Sequence, residues 1–262
     1  MQMCIRDRDI AFKIFVGFVV GTLIGMTGVG GGVLLLPVLI FGLGVPPIVA
    51  VGSDAAFNFV TKIGSGWMHL RKGTVRLGVV LALAVGSIPG SILGVNFLAH
   101  LRQVHGNGVN GFIRLAVGLL LVFIPTLLFF QTQIEDHVAH RPPTLRSFAG
   151  MSAIGLLAGV LVGMTSVGSG SIVMMLLLLL YSFSPRVMVG TDIVHAVALT
   201  GVTSLLQFHF GNVDLRLVAT LVIGSIPGGL IGSHLSARVP VPWLRRILCA
   251  VLLATGVRML WA

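Results

Sequence analysis

Charge is scarce in this chain. Only 9% of its 262 residues are Asp, Glu, Lys or Arg, and just 7 are acidic. Residues 14 to 53 contain none of the four, and neither do residues 147 to 185. An ordinary soluble domain carries about 25% charged residues, so that class is excluded. Cysteine is nearly absent as well. Cys4 and Cys249 lie at the N-terminus and inside an apolar segment, where they define neither a disulfide framework nor metal-ligand spacing. The histidines His100, His105, His137, His140 and His234 likewise show no metal spacing. No metal and no cofactor is expected. No Gly-Lys-Ser/Thr follows the glycine clusters, and nothing alternates strand with helix, so nucleotide-binding loops are excluded.

What is abundant is apolar. The hydrophobic fraction is 56% and the mean hydropathy +1.05. A membrane helix needs roughly 20 apolar residues, and several uncharged stretches reach that length, so the chain reads as a polytopic all-α membrane protein. The net charge of +10 does not point to nucleic acid. Its basic residues fall in short segments between apolar runs, such as Arg71, Lys72 and Arg76, where they act as topology determinants.

The chain is also a repeat. Its halves align without a gap at a constant offset of 138 residues. Gly25-Met26-Thr27 pairs with Gly163-Met164-Thr165, Asp54 with Asp192, and Ser87-Ile88-Pro89-Gly90 with Ser225-Ile226-Pro227-Gly228. The expected organisation is a first transmembrane repeat over 10–132, a polar linker over 133–146 and a second repeat over 147–262. Each repeat reads as five apolar segments: about 10–27, 32–45, 48–69, 77–99 and 112–132, then 147–165, 170–183, 186–208, 215–237 and 243–262. Segments 32–45 and 170–183 are short enough to be re-entrant, giving about 8–10 membrane segments in all. Arg6, Arg8 and Lys13 precede an apolar stretch, as in a signal peptide, but residues 14–27 recur at 152–165 and therefore belong to the fold.

Loop charge suggests that the repeats are inverted. The 70–76 loop carries three basic residues, whereas its counterpart at 208–214 has none and contains Asp214. One loop later the bias reverses, with Arg102 alone in 99–108 against Arg238, Arg245 and Arg246 in 237–246. The basic loops would then be cytoplasmic and both termini outside, an orientation that Arg6, Arg8 and Lys13 oppose. Trp67, Trp243 and Trp261 fit an interfacial belt.

Two glycine-rich breaks stand out inside the apolar runs, at residues 25–32 and 163–170. Small residues let membrane helices approach, which explains Gly86, Gly90 and Gly94. Three adjacent glycines at 30–32 instead break a helix. A broken helix exposes N–H groups that favour an anion. The candidate substrate-binding residues are therefore Thr27, Gly28, Gly30, Gly31 and Gly32 in the first break and Thr165, Ser166, Gly168, Ser169 and Gly170 in the second. Asn58 and Lys62 join them, sharing one helix face with Asp54 at i+4 and i+8. Lys62 either faces the pathway, partners Asp54 or snorkels to the interface. Intramembrane carboxylates suggest function by default. Asp54, Asp192 and His195 are candidate proton-coupling groups, with a structural acid and a satisfied buried histidine as the alternatives.

These residues resemble the TauE/SafE sulfite exporter family, also called the 4-toluenesulfonate uptake permease family. The likeness rests on Gly25, Gly28, Gly30, Gly31 and Gly32, then Pro37 and Val51-Gly52-Ser53. It continues through His69-Leu70-Arg71-Lys72-Gly73-Thr74-Val75 and Pro89-Gly90 with Gly94, and the second half repeats the pattern. The second copy departs where Ser166 and Ser169 replace Gly28 and Gly31 and where Met175 replaces Pro37. The resemblance implies a transporter of sulfite, sulfonates or related anions in the cytoplasmic (inner) membrane of a prokaryote. The expected function is thus secondary transport of a small sulfur-containing anion bound at the midplane between the repeats. An anion channel is the alternative, and an intramembrane enzyme a more distant one, because no nucleophile–base pair or metal cluster is legible. The expected partners are the anionic substrate and the lipid bilayer, not nucleic acid, with a homodimer left open.

Overall fold

The computed structural model describes residues 2–27, 31–134, 145–170, 172–174, 177, 185–236 and 241–261. All regular structure among the described residues is helical. In the first half, α1 spans Gln2–Thr27, α2 Gly31–Pro37, α3 Pro47–Arg71, α4 Leu77–His105 and α5 Val109–Ile134. In the second, α6 spans Leu145–Thr165, α7 Pro185–His209, α8 Leu215–Ser236 and α9 Val241–Trp261. Most of the expected segment 170–183 lies outside the described residues, and so does most of the 133–146 linker.

Among the described residues, five helices are long and apolar enough to cross a membrane: Leu77–His105, Val109–Thr126, Phe148–Thr165, Val187–His209 and Leu215–Gly232. Shorter apolar helices cover Ile10–Met26, Gly32–Gly42 and Cys249–Trp261. Large side chains such as Leu81, Leu93, Phe123, Leu157 and Leu230 are exposed along these helices, as lipid-facing residues should be. Trp67 is exposed, with the Arg71 guanidinium 5.0 Å from its ring centroid, and Trp261 is exposed at the end of α9.

After α2 the helix widens into one π turn, Val38–Gly42, closed by Leu43 N–H donating to Val38 O at 3.0 Å. Pro37 has no N–H to give to the ladder, which is the kind of defect that a π turn absorbs. Gly31 to Gly42 rises only about 18 Å at 1.5 Å per residue, well short of a hydrocarbon core of about 30 Å. Leu34, Leu35, Leu36, Leu39 and Ile40 are all buried. A helix that is apolar on every side is one enclosed by protein.

The two halves do not pack as separate bodies. The dominant helix pairs are α4 with α6, α1 with α8, α3 with α7 and α5 with α9, and each takes one helix from each half. Glycines make the first two pairs possible. A Cβ at Gly21 would strike the Ser225 backbone, and one at the equivalent Gly159 would strike the Ser87 backbone. These contacts reciprocate at the offset of 138, as in a self-complementary interface. In the other two pairs the partners run antiparallel. Gly201 faces Phe59 while Gly66 faces Ile193 and Val197, and Gly256 faces Val122 while Gly118 faces Met259.

Helix starts are capped across the halves in the same reciprocal way. Thr191 Oγ1 on α7 accepts from Arg76 N–H ahead of α4, and Ser53 Oγ on α3 accepts from Asp214 N–H ahead of α8, both at 3.0 Å. A hydroxyl at a helix start satisfies one of the N–H groups left without an intrahelical partner. The residues just before Asp54 and Asp192 therefore tie both acid-bearing helices to the opposite half.

Candidate functional site

The polar centre is built on α3 and the second break. Asp54, Asn58 and Lys62 stand one helical turn apart on α3, and Asp54 and Asn58 are buried. Asn58 Nδ2 donates to Asp54 Oδ2 at 3.0 Å and to Asp54 O at 2.9 Å. From the other half, Ser166 Oγ donates to the same Oδ2 at 2.6 Å, a length typical of a charge-assisted O–H···O bond. One helical step further, Lys62 Nζ donates to Ser169 Oγ at 3.0 Å. The Lys62 ammonium is therefore turned into the protein and does not snorkel.

The break supplies its hydroxyls at a local backbone cost. α6 ends at Thr165, and Ser166 has φ 58°. Among the described residues it is the one non-glycine in the left-handed region, which β-carbon sterics disfavour. Such strain persists where surrounding structure over-determines it. Here the bond to Asp54 does so, whereas glycine stands at the equivalent position 28. Gly168, with φ 97°, completes the reversal. Thr165 Oγ1 donates to Leu161 O at 2.6 Å and accepts from Val167 N–H at 3.2 Å, so it secures the helix end.

The first break is less fully described. Gly28 and Gly30 lie outside the described residues, as does the Thr27 side chain, although Thr27 is the last residue of α1. Gly31 opens α2. Next to it, a Cβ at Gly32 would lie 2.7 Å from Asp54 Oδ2 and 2.6 Å from Ser166 O. Gly32 therefore lets α2 close over the Asp54–Ser166 pair. Gly170 ends the described turn beside Ser169.

Asp192 is buried on α7 and lies in the electrostatic environment of Lys62, together with Asp54. His195, one turn on, is fully buried and shares a 2.8 Å hydrogen bond between Nε2 and Ser87 Oγ of α4. Asp192 Oδ1, His195 Nδ1 and Asp54 Oδ1 are buried atoms without a hydrogen-bond partner. The site thus joins Asp54, Asn58, Lys62, Ser166, Ser169, Asp192 and His195 at the contact between halves. Among the described residues, no group of three or more His, Cys, Asp or Glu could hold a metal ion.

A second polar string escaped sequence reasoning. Ser91 Oγ pairs with Thr203 Oγ1 at 2.9 Å, and Gln207 Nε2 donates to Gly163 O at 3.2 Å. Asn212 Nδ2 donates to Gln207 Oε1 at 2.7 Å, and Arg102 Nη1 donates to Asn212 Oδ1 at 2.6 Å. His195, Thr203 and Gln207 fall at multiples of four along α7, so one polar stripe was readable there.

Interlocked apolar helices around a buried polar centre are the architecture of a multi-pass membrane transporter, and comparison with known proteins agrees. Residues 13–259 match the family model described as sulfite exporter TauE/SafE, so the chain belongs to the TauE/SafE sulfite exporter family. It is 37% identical over 251 residues to the Probable membrane transporter protein YjnA of Bacillus subtilis, covering 94% of this chain and 98% of that one. It is 24% identical over 268 residues to the Probable membrane transporter protein MJ0441 of Methanocaldococcus jannaschii, covering 94% of each. The family and these relatives are membrane transporters, not enzymes. No solved structure matches the chain.

Proposed function

We propose that this protein is a secondary transporter of small sulfur-containing anions, such as sulfite or organosulfonates, which bind at mid-membrane between two inverted repeats. The observation that carries this reading is the Lys62 ammonium, held at 3.0 Å by Ser169 from the opposite half. A cation turned inward within a membrane-spanning helix is costly and is retained where it meets a charge. Inward-turned, donor-rich and placed where the halves meet, Lys62 suits an anion. Thr27, Gly28, Gly30, Gly31 and Gly32 from the first break, and Thr165, Ser166, Gly168, Ser169 and Gly170 from the second, would line the site with Asn58. Asp54, Asp192 and His195 would govern its charge.

Inversion of the repeats is supported by the antiparallel packing of α3 on α7 and of α5 on α9, and by the exchange of loop charge between equivalent loops. Equivalent helices that run in opposite directions are what a pseudo-two-fold axis in the membrane plane produces. The family description supports sulfite or a related anion as cargo, and relatives named as probable membrane transporters in a bacterium and an archaeon support a prokaryotic membrane as location.

The test is transport of radiolabelled sulfite, methanesulfonate, sulfate and acetate by purified protein in proteoliposomes. Saturable, selective movement of sulfite or methanesulfonate at carrier turnover is expected. Movement of none of the four contradicts the reading, and conductance far above carrier turnover replaces it with a channel.

A further inference from the structure

Equivalent positions in the two halves carry different chemistry around their carboxylates. Asp54 Oδ2 receives two donors, Ser166 Oγ and Asn58 Nδ2. At the offset of 138, the residues equivalent to those donors are Gly28 and Ala196. Neither has a side chain that can donate, and no hydrogen bond reaches the Asp192 carboxylate from the described residues. Both acids leave Oδ1 unpaired, but only Asp54 is held through its other oxygen. The helices also differ one residue before Asn58: His195 stands where the first half has Phe57, fixed by Ser87 through Nε2 and left with Nδ1 open.

Resting on the transport reading above, we propose that the two acids have divided roles: Asp54 is a fixed structural carboxylate, and Asp192 takes up one proton as the anion binds. Charge balance requires some such step. Asp54 and Asp192 together face one half-buried cation, Lys62. An arriving anion competes for that ammonium and adds negative charge to a site that already holds a surplus. An uncompensated buried charge is strongly unfavourable, so the less supported carboxylate takes a proton instead. The proton comes from solvent, admitted with the anion when the site opens to bind it. It forms an O–H bond on Asp192 and leaves again with the anion, so nothing is oxidised or reduced. Asp54 keeps its charge because two donors hold it in place.

Few other charged or titratable groups face Asp192. α3 brings Lys62 and Asp54, with His69 near its end, where Nδ1 pairs with Thr74 Oγ1. α7 itself brings His195. α4 brings His100, Arg102 and His105 at its far end, with Arg76 ahead of its first turn, and the described side chains of α6 carry no charge.

The experiment is calorimetry of methanesulfonate binding to the purified full-length protein, in two buffers that differ in ionisation enthalpy, across a range of pH. Methanesulfonate is ionised throughout that range, so any proton taken up belongs to the protein. Wild type should take up about one proton per anion, and its affinity should fall about tenfold for each pH unit of rise. Asp192→Asn mimics the protonated acid. It should take up no proton and bind with an affinity that no longer varies with pH. Asp54→Ala, which strands the Ser166 and Asn58 donors, should lower the melting temperature, whereas Asp192→Ala should not. Proton uptake by Asp192→Asn equal to wild type overturns the proposal, as does anion binding by wild type without proton uptake, and in both cases the transport reading stands. Equal destabilisation by the two alanine variants also overturns it. Failure of wild type to bind methanesulfonate or sulfite overturns the transport reading itself, and the proposal with it.

Discussion

Ser166 donates its hydroxyl to Asp54 Oδ2 at 2.6 Å across the two halves of the chain, and it does so from a left-handed backbone. The bond and the strain act in opposite directions, which gives two substitutions different outcomes. Ser166→Ala loses the bond and keeps the strain, so it should cost about 1–3 kcal/mol, the range for stranding a buried polar group. Ser166→Gly loses the same bond but relieves the positive φ and should cost less. Thermal melts of the detergent-solubilised variants check the order. Equal melting temperatures for the two would mean that the backbone at 166 stores no strain.

Equivalent loop residues should lie on opposite sides of the membrane. Arg71 and His209 are equivalent and exposed at the ends of α3 and α7. Arg71→Cys and His209→Cys, each in a background lacking Cys4 and Cys249, should react with an impermeant thiol reagent from opposite faces of sealed vesicles. Labelling of both from one face would exclude inverted repeats.

Glycines between α1 and α8 and between α4 and α6 hold backbones in contact. Gly159→Val would drive a branched side chain into the Ser87 backbone, and Gly21→Val into that of Ser225. Overpacking costs about 1–3 kcal/mol where side chains can yield. Backbone cannot yield as easily, so both variants should lose monodisperse protein on size-exclusion chromatography. Gly111→Val, where a Cβ meets nothing within 4 Å, is the control and should elute like wild type.

Much of the fold is legible in the sequence. The segment expected over 48–69 is α3 at Pro47–Arg71, and that over 186–208 is α7 at Pro185–His209. Both follow a proline and end at a glycine turn, with Gly73 and Gly211 at φ 63° and 69°, signals that are local and therefore readable. The i, i+4, i+8 spacing also put Asp54, Asn58 and Lys62 on one face. What sequence could not give was the crossing of partners between halves. The bonds from Ser166 to Asp54 and from Lys62 to Ser169 join residues more than 100 positions apart, and they depend on how α3 meets the second break. The breaks were expected to favour an anion through exposed N–H groups, and the bond from Lys62 to Ser169 brings an ammonium to one of them. The Arg102–Asn212–Gln207 string was missed for a related reason. Each member is unremarkable in its own segment, and only packing connects them.

The central claim is that the anion meets Lys62 and the second break, rather than the basic loop at 70–76. It is tested most directly by calorimetric binding of sulfite or methanesulfonate to three purified proteins: wild type, Lys62→Met, and a loop variant with Arg71, Lys72 and Arg76 all changed to Gln. Removing a charge-assisted hydrogen bond of about 1.5–3 kcal/mol should weaken binding at least tenfold in Lys62→Met, while the protein stays folded. The loop variant should bind with near wild-type affinity, since exposed charges act mainly on encounter and salt dependence. Undiminished binding by Lys62→Met together with lost binding by the loop variant would contradict the account.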